Sequence, residues 1–114
     1  MARRRRLICA SAALLDGADG VRFEVERNGA PEAAFAIRFE GQVHAYLNRC
    51  AHVPVELDWL SGQFFDLDRR LLLCATHGAV YDPRSGACRG GPCRGGGLEP
   101  LPVCETEDAV WLLE

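Results

Sequence analysis

Two short clips constrain this chain more than any other feature. Cys50-Ala51-His52 is followed, after twenty-one residues, by Cys74-Ala75-Thr76-His77. Each clip pairs one thiol with one imidazole, and both groups are metal ligands. Four such groups can serve one site only if two loops, distant in sequence, are held face to face. The fold must therefore supply a rigid frame with loops gathered at one end, because a metal site tolerates little play in its ligands. Four unliganded core residues at this spacing would be a coincidence.

The rest of the chain suits such a frame. Its 114 residues are enough for one domain and not two. Apolar residues make up 48% and charged residues 25%, which is ordinary for a folded domain and argues against disorder. All thirteen positive charges are Arg, four of them in Arg3 to Arg6. Without that run, nine Arg face sixteen acids, a balance of −7. No basic face for nucleic acid is expected from such a body. The six cysteines could form a disulfide framework in a secreted chain. Two of them, however, sit beside His at ligand spacing, which points to metal binding in a reducing compartment.

The arginine run and the apolar stretch from Leu7 to Leu15 have the parts of an export signal. No small-x-small cleavage site follows, and Leu7-Ile8-Cys9-Ala10 reads as a first strand. A cytoplasmic location is expected, and the stretch is too short to span a membrane as a helix. Val21 to Arg27 alternates apolar and charged residues with period two, as a half-buried strand does. Phe35, Ile37 and Phe39 alternate again, and Val43, Ala45 and Leu47 follow after the turn at Glu40-Gly41. These three strands predict an antiparallel meander. The first clip follows the third strand directly. Glu56 to Gly62 reads as irregular, with Trp59 packing it down. Leu71-Leu72-Leu73 is a short strand that delivers Cys74. After His77, Asp82-Pro83-Arg84-Ser85-Gly86 is a turn, and the glycine-rich stretch from Arg89 to Gly97 is a linker or a closely packed loop. Leu98, Leu101 and Val103 begin a return strand, and Ala109 to Leu113 closes the sheet. The fold class is all-β, with no long amphipathic helix.

The ligand types narrow the metal. Thiolates hold iron–sulfur clusters, and replacing two of them by histidines on one iron defines a Rieske [2Fe–2S] centre. Neutral imidazoles leave the oxidised centre less negative than four thiolates would, so an added electron costs less. The alternative is a structural zinc on the same Cys₂His₂ set. Zinc clips usually space their ligands by about two to four residues, and C-x-H is tighter than that.

At these residues the chain resembles the Rieske-type ferredoxins. Asn48-Arg49-Cys50-Ala51-His52 is similar to the family's first cluster loop, and Cys74-Ala75-Thr76-His77-Gly78-Ala79-Val80-Tyr81 to its second. Asp82 to Gly86 looks like the turn that follows, and Gly91-Pro92 like the proline loop that covers the cluster from a third side. The resemblance spans about residues 42–104. It implies a single domain over 1–114, an antiparallel β-sandwich with a cluster-binding subdomain at about 48–97 inserted in a base sheet. It implies one [2Fe–2S] cluster on Cys50, His52, Cys74 and His77, and a carrier of single electrons between a reductase and a terminal acceptor such as an oxygenase. No catalytic residue is expected in the chain itself.

There are departures. The gap between the clips is longer than in small ferredoxins, with the excess placed in Glu56 to Asp66. The inter-loop disulfide of quinol-oxidising relatives is absent, since Val53-Pro54-Val55 and Ala75-Thr76 stand there. High-potential members place a Ser after the His-Gly pair, where this chain has Ala79. A potential nearer about −150 mV than +300 mV is expected.

Other residues carry plainer expectations. His44 is an exposed strand residue. Cys9 and Cys104 are small buried hydrophobes. Cys88 and Cys93 flank the supposed cover loop, where a disulfide is geometrically plausible, but free thiols are expected in a reducing cytosol. Tyr81 either hydrogen-bonds near Cys74 or packs. Arg49, Arg84, Arg89 and Arg94 are ordinary surface charge in preference to a basic collar. The competing function is a non-redox accessory or regulatory subunit whose metal site, cluster or zinc, holds the fold; a small subunit of a larger reductase is a third.

Overall fold

In a computed structural model of the chain, residues 4–51, 55–93 and 95–113 are described. Among these residues ten strands run as β1 (Arg5–Ala10), β2 (Val21–Arg27), β3 (Ala30–Phe39), β4 (Gln42–Leu47), β5 (Leu72–Leu73), β6 (Val80–Tyr81), β7 (Cys88–Gly90), β8 (Pro100–Leu101), β9 (Val103–Glu105) and β10 (Ala109–Leu113). Among the described residues the helical content is one short 3-10 turn, Ser11–Ala13. All the strand pairs within the sheets are antiparallel, and the fold is all-β as expected.

The strands form three sheets, ordered β1-β10-β9, β2-β3-β4-β8 and β5-β6-β7. The predicted meander is β2-β3-β4, with Val21 opposite Ala36 and Ala36 opposite Ala45. The Leu7–Ala10 stretch is indeed a strand, paired along β10. The expected return strand is two short ones. Pro100–Leu101 joins β4, and Val103–Glu105 crosses to β10.

The middle of β3 is buried on both faces, which simple alternation did not predict. Phe35 and Ile37 point to one side and pack with Tyr46, Phe64, Leu72 and the two clip cysteines. Ala36 points to the other and packs with Leu14, Ala45 and Val110. Ala34 does the same with Val25, Leu47 and Leu112. The alanine side reads as weakly apolar in sequence, yet a small side chain is what lets a second sheet approach closely. The base sheet thus has the terminal sheet on one face and the clips on the other. Stacked rings anchor the clip side, with Phe35 and Phe64 centroids 4.0 Å apart.

Arg38 ties the layers together at the end of β3. Its guanidinium grips the Glu105 carboxylate through two hydrogen bonds, at 2.9 and 2.6 Å, and its Nε donates to Leu14 O at 2.8 Å.

Candidate metal centre

Each clip is a loop pinned by its own backbone. The first leaves β4 through Asn48, whose N–H still donates to Ala33 O of β3 at 2.9 Å. Cys50 N–H then donates to Val55 O at 2.8 Å. The second clip is the hairpin between β5 and β6. Cys74 N–H donates to Ala79 O at 2.8 Å and Gly78 N–H to Cys74 O at 3.0 Å. Gly78 takes φ +78°, which closes the turn at low cost because glycine has no side chain to clash there.

The structure brings Cys50 and Cys74 together. Both are buried in one core cluster with Tyr81, Ala79 and Cys93, and the two side chains interact directly. Burial pushes the Cys74 thiol up, while the backbone N–H groups of Thr76 and His77 point at its sulfur and pull the other way. Tyr81 Oη lies 3.1 Å from Cys50 Sγ and accepts the Ala51 N–H at 2.9 Å. A metal-bound Cys50 thiolate carries no proton, so toward it the Tyr81 hydroxyl can only be the donor. The Tyr81 bond is therefore to Cys50 and not to Cys74. Buried sulfurs ringed by N–H and O–H donors suit metal-bound thiolates, which carry negative charge and can only accept.

His77 is exposed, at the rim of the second clip. His52, Val53 and Pro54 lie outside the described residues. Among the described residues no group of three or more His, Cys, Asp or Glu is gathered for a metal ion.

Sequence reasoning missed the brace between the clips. Asn48 Oδ1 accepts Leu57 N–H at 2.8 Å, and its Nδ2 donates to Asp58 Oδ1 at 2.9 Å. Leu57 O in turn accepts Ala75 N–H at 3.0 Å. One buried residue of the long insertion thus bonds to the start of the first clip and to the second. Asp58 is buried too, and its Oδ2 accepts Gly62 N–H at 2.9 Å. An Asp opening a Gly-ended turn was the available signal. Trp59 does not pack this segment down as expected, since it is 81% exposed. The hydrogen bonds of Asp58 hold the loop, and the indole is left outside.

A third loop covers the clips. Cys93 is buried and disulfide-bonded to Cys88, with Cα atoms 5.7 Å apart. The expectation of free thiols is overturned. It rested on compartment alone, whereas the turn through Gly90 and Gly91 returns the chain to its own start. Gly91 has φ +78°, and a Cβ there would lie 2.8 Å from Gly78 O. A Cβ on Gly96 would lie 3.0 Å from Ala51 Cβ. Gly91 and Gly96 are therefore the points at which a packed strap meets the second clip and the first.

His44 also departs from expectation. It shares a β4 face with Tyr46, the face turned to the clip-side core, and its Nε2 is buried without a hydrogen-bond partner. Burial lowers its pKa; Asp82 opposes the shift and Arg84 adds to it. Cys9 and Cys104 are half-buried in β1 and β9. The arginines near the clips are neutralised locally. Arg49 pairs with Glu32, Arg84 with Glu40 and Asp82, and Arg89 with Asp82. Ordinary surface charge describes these three, and Arg94 lies outside the described residues.

An all-β frame that holds two buried thiols on paired loops under a third defines a metal-centre domain of the iron–sulfur class. The sequence matches the Rieske [2Fe–2S] domain over residues 5–105, and the chain belongs to that family. One Rieske-type [2Fe–2S] cluster per chain goes with that membership. Solved structures agree on the fold. The ferredoxin of carbazole 1,9a-dioxygenase from Nocardioides aromaticivorans IC177 is 19% identical with TM-score 0.70, over 95% of each chain. The Sphingomonas yanoikuyae B1 ferredoxin is 21% identical with TM-score 0.71, over 97% of this chain and 99% of its own. A chain in a complex of reduced oxygenase and oxidized ferredoxin in carbazole 1,9a-dioxygenase is 23% identical with TM-score 0.72, over 96% of this chain and 92% of its own. Among curated proteins, none matches significantly.

Proposed function

We propose that this protein is a one-electron carrier that passes electrons from a reductase to a terminal acceptor such as an oxygenase. Cys50 and Cys74 would hold one iron, and His52 and His77 the other, with residues 48–97 as one cluster-binding unit on the sheets. When bound, the cluster supplies a site that accepts and returns single electrons. The observation that carries this reading is the buried pair of Cys50 and Cys74 in one core cluster, with Tyr81 Oη at 3.1 Å from the Cys50 sulfur.

The chain's own residues have separate tasks. Tyr81 and the Thr76 and His77 amides place positive dipoles at the sulfurs, which favours added negative charge there. The Leu57 brace fixes the distance between the clips. The exposed rim at His77 is where a partner's redox group can approach. Solved ferredoxins of the same fold come from dioxygenase systems, one of them in complex with its oxygenase, which supports an oxygenase as acceptor. A cytoplasmic location fits this role; among the described residues no helix is long and apolar enough to cross a membrane.

The test is electron paramagnetic resonance of the anaerobically purified, dithionite-reduced protein, with iron and sulfide counted on the same sample. A rhombic signal with the lowered average g of a His-ligated cluster, and two irons per chain, is expected. A silent sample containing zinc would overturn the electron-transfer reading in favour of a structural metal.

A further inference from the structure

The Cys88–Cys93 disulfide stands in an unusual place. It closes the strap that lies across both clips, and Cys93 belongs to the same buried cluster as Cys50, Cys74 and Tyr81. Cys88 is half-buried on β7, an edge strand of its sheet. Cys88 is thus the more exposed partner, packed against the edge of that cluster, while Cys93 lies within it.

We propose that Cys88–Cys93 is a thiol-exchange site, opened by a dithiol reductant, that sets how firmly the cluster is held. The proposal rests on the reading that Cys50 and Cys74 carry the cluster. In the exchange, a thiolate of the reductant attacks Cys88 Sγ. The Cys88–Cys93 bond breaks, and Cys93 leaves as a thiolate that takes up a proton. The reductant's second thiol then displaces Cys88, which is also protonated. The protein gains two electrons and two protons, and the dithiol becomes a disulfide.

Both states fit the same fold. Cys93 Sγ lies 3.1 Å from Gly90 O and 3.5 Å from Val80 O. A disulfide sulfur has no proton to offer these carbonyls, but once reduction lets the two sulfurs move apart to van der Waals contact, the Cys93 thiol can donate to one of them. The change is in what the strap can do. Closed, the bond pins the turn that holds Gly91 against Gly78, next to Cys74's hairpin. Open, that turn keeps only its non-covalent packing against Gly78 and Ala79, and Gly96 its packing against Ala51. Local opening over the clips becomes more frequent, and the cluster is lost faster. In a reducing compartment, disulfides are mostly transient and redox-sensing, which is the behaviour this site would have.

The experiment uses the full chain with its cluster. Cysteines are alkylated with iodoacetamide before and after treatment with dithiothreitol and mapped by peptide mass, while cluster loss to a chelator is followed by visible absorbance. Cys88 and Cys93 should resist alkylation until dithiothreitol is added, and the opened protein should lose its cluster about tenfold faster. A Cys88→Ser/Cys93→Ser variant should lose it at the fast rate with or without dithiothreitol. Alkylation of both cysteines before reduction would overturn the proposal, as would equal rates of cluster loss for closed and opened wild-type protein. Either comparison stands if the variant fails to fold. Absence of any cluster signal in both samples would instead refute the assigned function.

Discussion

The Tyr81 hydroxyl lies 3.1 Å from the Cys50 sulfur while accepting the Ala51 amide at 2.9 Å. Toward a metal-bound thiolate that hydroxyl can only donate, and burial pushes its ionisation well above the usual tyrosine range, so it keeps its proton. A donor to a ligand sulfur stabilises the reduced, more negative centre more than the oxidised one. Tyr81→Phe keeps the buried ring and removes only the donor. The reduction potential should fall by on the order of 50 mV, the worth of about one hydrogen bond for a one-electron couple. A spectroscopic redox titration checks this, and an unchanged potential would mean that the proton is not on the sulfur.

Asn48→Ala should damage both stability and cluster retention. It leaves the Leu57 amide without its acceptor and Asp58 Oδ1 without its donor, in a buried place. Such losses cost about 2 kcal/mol, roughly 10 °C of Tm in a domain of this size. Because Leu57 also accepts from Ala75, slack in the first clip reaches the second. Thermal unfolding and iron content measured on one sample test the two effects, and normal values of both would dismiss the brace.

The clips and the meander were legible because their signals are local. Ligand spacing is a matter of a few residues, and period two survives in strands that face water on one side. The misreadings share a cause, which is that burial is settled by elements far away in sequence. The β4 face of His44 and Tyr46 looked polar, yet the clips and Phe64 cover it. Trp59 looked like a packing residue on size alone, but Asp58 already holds its loop through Asn48 and Gly62. The Cys88–Cys93 bond turned on a reversal of the chain that no apolar pattern announces.

Glu105 provides an acid-sensitive tie. Its hydrogen bonds from Arg38 hold the carboxyl below its ordinary range, and both side chains are largely shielded. A depressed carboxyl pKa adds stability above the unfolded value, near 4.5, and that stability is lost as pH falls through the folded value. Glu105→Gln should destabilise the protein by about 1 kcal/mol at pH 7, as expected for a partly shielded Arg–carboxylate pair. Below the folded pKa the variant and wild type should converge. Denaturant midpoints followed downward from pH 7 measure the difference; a gap that does not narrow as the acid limit is approached would show that packing, not charge, holds β3 to β9.

His44 and His77 should separate cleanly by substitution. His44 is buried at Nε2, and burial lowers its pKa below 6.5. The unfolded chain then binds a proton that the folded chain resists, so stability should decline as pH falls below about 6.5. His44→Ala removes this term and touches no proposed ligand. It should retain two irons per chain and show a flatter stability profile between pH 7 and pH 5. His77→Ala should lose most of its iron at any pH, because it deletes a proposed ligand on the exposed rim. Iron and sulfide counts on both variants decide the matter. Normal content in His77→Ala protein would remove His77 from the ligand set, and loss of iron in His44→Ala protein would bring the buried imidazole into it.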